Sequence, residues 1–287
     1  MAAPGQFIIS TINEFLSSSR NSLQTASGEK AWDEALVGFS SGSDPLYQSL
    51  KSDIGSFYWT PLEIYSLSFS EISVRPEDLT VISWVLPQTA ATREDQRRQK
   101  KYPAERWSRS RNFGEETNFN LAHHLVDILA HEGHPAVAPV LSPLWGWRTS
   151  EKYGFASNWS ERHAAYVSGL GTFGLCDGLI TEKGKAVRCG SLVAKIVIPP
   201  TVRKYQHHHD YCLFYVNGKC RKCIVRCPAG AISEAGHDKD ACKKYLFEVA
   251  SEYAKSHYGF ASYGCGFCQT GVPCEAGIPR GLASEKT

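Results

Sequence analysis

Eight of the ten cysteines of this 287-residue chain lie between Cys212 and Cys274. Cys220, Cys223 and Cys227 stand at C-x2-C-x3-C with Pro228 next, and Cys212 precedes them across a longer loop. Cys265, Cys268 and Cys274 form a second group at C-x2-C-x5-C, and Cys242 lies between the two groups. A cuboidal iron–sulfur cluster needs four thiolates arriving from different directions. A C-x2-C turn supplies neighbours on one cluster, while the cysteine before proline is directed to another, as in two-cluster bacterial ferredoxins. Eight thiols divide into two sets of four, which points to two 4Fe–4S clusters. Structural zinc usually takes paired two-cysteine knuckles or cysteines with histidines, and a three-cysteine run ending in Cys-Pro before Ala229-Gly230-Ala231-Ile232 departs from that pattern. Cys176 and Cys189 are left over and read as small buried hydrophobes. His207, His208 and His209 are consecutive and cannot all face one ion, so they read as a surface loop.

Composition sets the frame for these thiols. The chain is 42% hydrophobic and 21% charged, with a formal charge of +2. That is ordinary globular composition with enough length for a substantial core. Near-neutral charge gives no electrostatic warrant for nucleic-acid or membrane binding. No apolar run approaches the roughly 20 residues of a bilayer span, and the N-terminus has neither the basic start nor the cleavage site of a secretory signal. The expected location is the cytoplasm, where clustered cysteines bind metal more often than they form disulfides.

The elements that must position the thiols read as α+β. Residues 6 to 26 show helical apolar spacing, and Leu79 to Leu86 read as a buried strand stopped by Pro87. From Arg93 to Arg111 eight basic residues face three acidic ones. This run reads as a solvated helix face or exposed loop, with a grip on an anionic cofactor tail or substrate as the functional alternative. Asn118 to Glu132 is a patterned helix with Gly133 at its C-cap, followed by a short strand at Ala136 to Val140. A further helix spans Asn158 to Tyr166, with Ser160 as N-cap. It runs into Gly169-Leu170-Gly171-Thr172-Phe173-Gly174, where three glycines allow positive φ and close backbone approach. The dinucleotide fingerprint requires a strand before such a loop and a helix after it. Here a helix precedes it and Leu179-Ile180-Thr181 follows, which excludes the Rossmann reading. Gly190 to Pro199 is another strand.

Several segments resemble the epoxyqueuosine reductase family, which is related to the reductive dehalogenases. They are Glu161-Arg162 with Ala165 and the Gly169 to Gly174 loop, Arg226 to Ile232 (RCPAGAI), Asp240 to Leu246, and Tyr263 to Gln269. The resemblance covers roughly residues 78 to 279. It implies a nitroreductase-like body that binds cobalamin, over residues 1–205, and a bacterial-ferredoxin-like module with two 4Fe–4S clusters, over residues 206–287. It further implies that Cys212, Cys220, Cys223 and Cys274 hold one cluster and Cys227, Cys242, Cys265 and Cys268 the other. The Gly169, Leu170, Gly171, Thr172, Phe173 and Gly174 backbone would lie against the corrin. Electrons would pass singly from the clusters to cobalt and then to a substrate.

Two features depart from the family pattern. Its proton-donating aspartate falls on Phe155, which cannot donate. Nearby replacements are Tyr153, His163, Tyr166 and Asp177, and because dehalogenase relatives use a tyrosine, Tyr153 and Tyr166 stand first. The chain also ends 13 residues after Cys274, where the family continues into a helical portion that engages tRNA. With near-neutral charge this argues against tRNA as the substrate. The expected function is a cobalamin-dependent iron–sulfur reductase acting on a small molecule, supplied by an external electron donor such as ferredoxin or flavodoxin, with no membrane partner. The alternatives are an epoxyqueuosine reductase acting on tRNA, and a non-catalytic electron carrier or cobalamin-handling protein.

Overall fold

A computed structural model describes residues 3 to 282. The outer ends of the two expected domains, residues 1–2 and 283–287, lie outside the described residues. In chain order the elements are α1 (Pro4–Ser17), β1 (Leu36–Ser41), α2 (Pro45–Ile54), α3 (Pro61–Ser68), β2 (Thr80–Pro87), α4 (Ala90–Arg98) and α5 (Glu105–His131). Then come β3 (Ala136–Val137), β4 (Trp147–Ser150), β5 (Gly154–Ser157), α6 (Glu161–Val167), β6 (Gly171–Phe173), β7 (Leu179–Thr181) and β8 (Val187–Ala194). The cysteine-rich part adds α7 (Leu213–Asn217), α8 (Lys222–Arg226), β9 (Ile232–Ser233), β10 (Gly236–His237), α9 (Lys239–Tyr245) and α10 (Ser251–Tyr258), the last two joined by a π-helical turn.

The central sheet has the order β1-β2-β8-β3, with each neighbouring pair antiparallel. Side chains alternate across a strand, so β2 presents two faces. Val81 and Val85 join one apolar cluster with Ala164, Ala165 and Val167 of α6. Ile82, Trp84 and Leu86 join another with Leu121, Leu125 and Leu129 of α5 and Ile8, Ile12 and Phe15 of α1. Helices therefore cover both faces, and every residue of β2 is buried. Trp84 also explains a glycine in the partner strand. It lies opposite Gly190, and a Cβ there would sit 2.4 Å from the indole. The indole N–H is satisfied by Asn118 Oδ1 at 2.7 Å.

Local signals fix the helix starts unevenly. Thr60 and Glu63 form a reciprocal capping box with Pro61 in the first turn of α3. Ser160 precedes α6 but its side chain makes no capping hydrogen bond. The expected helix at Asn118 to Glu132 is the second half of the 27-residue α5. The expected strand at Ala136 to Val140 shortens to two residues. Among the described residues no helix is long and apolar enough to cross a membrane.

Residues 93 to 111 form a solvated face only in part, at Arg97, Arg98, Lys100 and Lys101, which are exposed. They make up most of α4 and the start of α5, and they are the seam on which the cysteine-rich part sits. Gln96 is fully buried and donates to Cys265 O at 2.8 Å, while its own oxygen accepts from Ala104 N–H at 2.8 Å. Arg97 binds Glu275 at 2.5 Å, and Ser262 donates to Ser108 O at 3.1 Å. From the other side Arg226 donates to Gln99 O at 3.0 Å. Gly266, at φ 70°, lets the chain pass Trp107, whose ring would stand 2.1 Å from a Cβ. Several cations of this run are matched to carboxylates of the same chain: Arg106 to Glu29 and Asp95, Arg109 to Glu105, Arg111 to Glu115, while Lys100 and Lys101 are exposed.

Candidate metal centre

The short helices of the C-terminal part carry the thiols. Cys220 precedes α8, Cys223 sits inside it and Cys227 caps its end. Cys212 precedes α7. Cys242 lies in α9, which Asp238 caps by accepting from Asp240 N–H and Ala241 N–H. Cys265, Cys268 and Cys274 stand on the irregular segment that returns across the seam.

One internal cavity is lined by Cys212, Cys220, Cys223 and Cys274 together with Lys185. Cys212, Cys223 and Cys274 are buried and Cys220 is half-exposed. On the other side Cys265 faces Cys242 and Cys227, and burial pushes its thiol up to about 12. Cys268 neighbours Cys265 and lies within hydrogen-bond reach of the Cys176 thiol. None of the ten cysteines forms a disulfide. Among the described residues no three His, Cys, Asp or Glu side chains converge tightly enough to hold a single ion.

Cys176 reads from sequence as a small buried hydrophobe; it is buried in the apolar cluster, but its thiol also meets polar groups. Its thiol accepts from Lys185 Nζ at 3.1 Å and lies within hydrogen-bond reach of the Cys223 and Cys268 thiols. Cys223 first, then Cys268 and the Lys185 ammonium, hold Cys176 well below the usual thiol range. Sequence reasoning missed Lys185, which is 3% exposed. A buried lysine four residues beyond a strand carries no spacing signal, and only the fold shows what it faces.

The loop from Gly169 to Gly174 is largely part of a hairpin. Gly171, Thr172 and Phe173 form β6 and pair with β7. All six residues except Gly169 are buried. A Cβ at Gly171 would meet Ile180 O at 2.2 Å, and one at Gly174 would meet Ile180 Cδ1 at 3.2 Å. Gly174 N–H donates to Gly178 O. The Thr172 hydroxyl accepts from Tyr211 N–H at 2.9 Å, which ties the hairpin to the residue before Cys212. These glycines have packing reasons of their own, and the loop as folded offers a corrin neither an open face nor a free stretch of amides.

The proton-donor candidates sit in different surroundings. Tyr153 is 41% exposed at the tip of the β4–β5 hairpin and donates to Asp53 Oδ2 at 2.6 Å. Tyr166 is buried, stacked on Tyr205 and edge-on to His208, and burial raises its pKa. His163 packs on Phe173 with Nδ1 buried and unpartnered. Burial lowers its pKa to about 3, so the imidazole is neutral. Asp177 pairs with His237 at 3.0 Å. Phe155 stacks on Trp147 and lies under the Lys243 ammonium at 4.7 Å, so this position serves the contact with α9. The histidine run is not a free surface loop: His208 stacks on Phe173 at 4.4 Å, and His209 Nδ1 bonds Phe173 O at 2.8 Å. Only His207 is exposed.

No family model matches the chain. An epoxyqueuosine reductase of Bacillus anthracis is 32% identical over 124 residues, 42% of this chain and 30% of that protein. A second, from Bacillus cereus, is 31% identical over the same length. The chain thus matches less than a third of the length of these curated relatives. Among solved structures, a catabolic reductive dehalogenase aligns over 96% of this chain and 37% of its own, with a TM-score of 0.51 and 15% identity. An epoxyqueuosine reductase crystal structure aligns over 89% of this chain and 65% of its own at a TM-score of 0.47 and 18% identity. Over that stretch the chain is similar in sequence to epoxyqueuosine reductases, and its fold resembles that of a reductive dehalogenase, the pairing its motifs lead one to expect.

Proposed function

We propose that this chain is an iron–sulfur reductase of the epoxyqueuosine reductase-like class, with a nitroreductase-like body over residues 1–205 and a ferredoxin-like module over residues 206–287. The observation that carries the reading is the set of four thiols, Cys212, Cys220, Cys223 and Cys274, around one cavity. Thiolates on a cube stand farther apart than those on one tetrahedral ion, which suits side chains that share a cavity without converging on a point. Cys227, Cys242, Cys265 and Cys268 would hold the second cluster. When bound, the clusters supply one-electron transfer. The residues around them fix the thiols, exclude water and set the charge of the site. An external carrier such as a ferredoxin or flavodoxin would deliver the electrons, and the acceptor would be a small molecule.

Cobalamin enters through the resemblance alone. Because the Gly169 to Gly174 hairpin is closed, a corrin would have to be held by other residues, and we derive no step through it. That same closure favours a second reading, an electron carrier that hands its electrons to another protein. One of the matched solved structures is an epoxyqueuosine reductase with a tRNA stem loop. Here the near-neutral charge argues for a substrate other than tRNA.

Anaerobic reconstitution tests the reading. About eight irons per chain are expected, with the broad charge-transfer absorption of two 4Fe–4S clusters. Zinc retention with no iron uptake would overturn it. Titration with hydroxocobalamin then separates the two forms: a changed corrin spectrum supports the reductase, and an unchanged one supports the carrier.

A further inference from the structure

The four thiols around the internal cavity differ in their access to the surface. Cys212, Cys223 and Cys274 are buried, while Cys220 is half-exposed. Cys220 lines that cavity and also a surface groove of about 430 Å³, and so do Leu213 and Pro273. A single layer of side chains therefore separates the groove from the cavity, and Cys220 is part of that layer.

The groove combines an apolar floor with a cationic rim. Val225 of α8 lines it at 81% exposure, and Val216 of α7, which lies between the lining residues Leu213 and Asn217, is exposed as well. Lys219, Arg221 and Lys222 also line it, and all three are exposed. From Tyr211 to Ser233 the chain carries four cations and no carboxylate. Arg226 turns away to Thr270 O and Gln99 O at the seam. Arg221 pairs with Glu234 and donates to Gly218 O at 2.7 Å, which braces the turn that ends α7 at Gly218, φ 68°. Among the described residues no carboxylate pairs with Lys219 or Lys222.

Apolar contact in the middle with charge at the edge is the anatomy of a protein docking face, and small faces of this kind suit transient electron-transfer encounters. Two unpaired lysines favour an acidic surface and steer its approach. We propose that this groove docks a small acidic one-electron carrier protein against Cys220, which places the redox centre of the carrier at the thinnest wall of the cavity. The proposal rests on the assignment of a cluster to Cys212, Cys220, Cys223 and Cys274. Lys219 and Lys222 orient the carrier by charge and Val225 seats it; none of the three is a ligand.

The test is isothermal titration calorimetry of the reconstituted full chain with an acidic 2Fe–2S ferredoxin as the probe. Lys219→Glu combined with Lys222→Glu is expected to weaken binding about tenfold or more at low ionic strength, and the difference should shrink as salt screens it. Lys244→Glu combined with Lys255→Glu makes the same charge change on exposed lysines of α9 and α10 and should weaken binding by under about threefold. Because Lys219 and Lys222 flank the candidate ligands, the unsubstituted chain is also cross-linked to the ferredoxin with a carbodiimide and mapped by mass spectrometry. Cross-links at Lys219 or Lys222 are expected. Cross-links confined to other lysines, equal weakening by the two double variants, or no binding by a parent chain that holds its iron would overturn the proposal. Self-association of the chain, or binding of a tRNA stem loop, that depends on Lys219 and Lys222 while the ferredoxin does not bind would overturn it too. Failure of the parent chain to take up iron would instead reject the cluster assignment itself.

Discussion

Substituting Gly171 by alanine separates two reasons for the glycine loop. Gly171 is paired with Thr181 across the β6–β7 hairpin, and its φ is not in the left-handed region, so alanine has no intrinsic conformational penalty there. The obstacle is steric. The new Cβ would lie 2.2 Å from Ile180 O, 2.9 Å from Ile180 C and 3.1 Å from Thr181 Cγ2. Two of these atoms are backbone of the paired strand and cannot swing aside, so the hairpin must open by about an ångström to restore van der Waals contact. Overpacking of this kind costs about 1–3 kcal/mol, and each ladder hydrogen bond stretched beyond use adds about 1 kcal/mol. We expect Gly171→Ala to lower unfolding stability by about 3 kcal/mol in protein prepared without clusters or corrin, read as a shift of the urea midpoint. Gly174→Ala meets only the movable Ile180 Cδ1 at 3.2 Å and should cost under about 1 kcal/mol. If instead Gly171→Ala stays within about 0.5 kcal/mol of the parent while corrin binding is lost, the packing argument is wrong and the loop is a cofactor cradle.

Three further outcomes follow from the geometry. Glu275 is 5% exposed and accepts from Arg97 and from Gly271 N–H at 2.6 Å; Glu275→Ala should destabilise the chain by about 2–3 kcal/mol in urea unfolding. Because Arg97 is half-exposed, a double-mutant cycle with Arg97→Ala should return a coupling of only about 1 kcal/mol. Cys227→Ala should abolish the EPR signal of the cluster on the Cys265 side while sparing the other, although Cys227 belongs to the first sequence motif; loss of both signals or of neither would contradict the partition. Glu161 is half-buried and bonded to Ser191, and burial raises its carboxyl from 4.5 to about 8. The folded chain therefore holds a proton that the unfolded chain releases between those values, so this group's contribution to stability falls as pH rises from about 4.5 to about 8. Glu161→Gln should flatten that decline by on the order of 2 kcal/mol, measured as urea unfolding across the same range.

The thiol motifs and the buried strand were legible because their signals are local. Spacing places Cys220 and Cys223 on one turn, and an apolar run flanked by breakers makes β2 whichever way the rest folds. The glycine loop was only half legible. Its composition announces close approach but not what approaches, and at Gly171 the neighbour is Ile180 O of the same hairpin. Cys176 was only partly legible for a related reason: a lone cysteine reads as apolar until the fold brings Lys185 to it from nine residues away.

The basic run from Arg93 to Arg111 was half legible: Arg98, Lys100 and Lys101 are exposed, but Arg97 and Arg106 serve the seam. Charge content alone predicts a solvated or ligand-binding face, because sequence order does not show which carboxylates will meet those cations. Here they come from distant segments: Glu29 for Arg106 and Glu275 for Arg97. Glu275 directly follows Cys274 and accepts Gly271 N–H, so the pair with Arg97 also fixes the turn that presents this thiol to the cavity. Gln96 does the same for Cys265 through its carbonyl. Phe155, at the family's aspartate position, contributes its ring and its carbonyl to Lys243 and Lys239 of α9, the helix that carries Cys242. Body residues therefore hold segments bearing thiols from both sets of four. It follows that substitutions in the seam should alter cluster uptake and not only stability, a coupling that an exposed basic face would not produce.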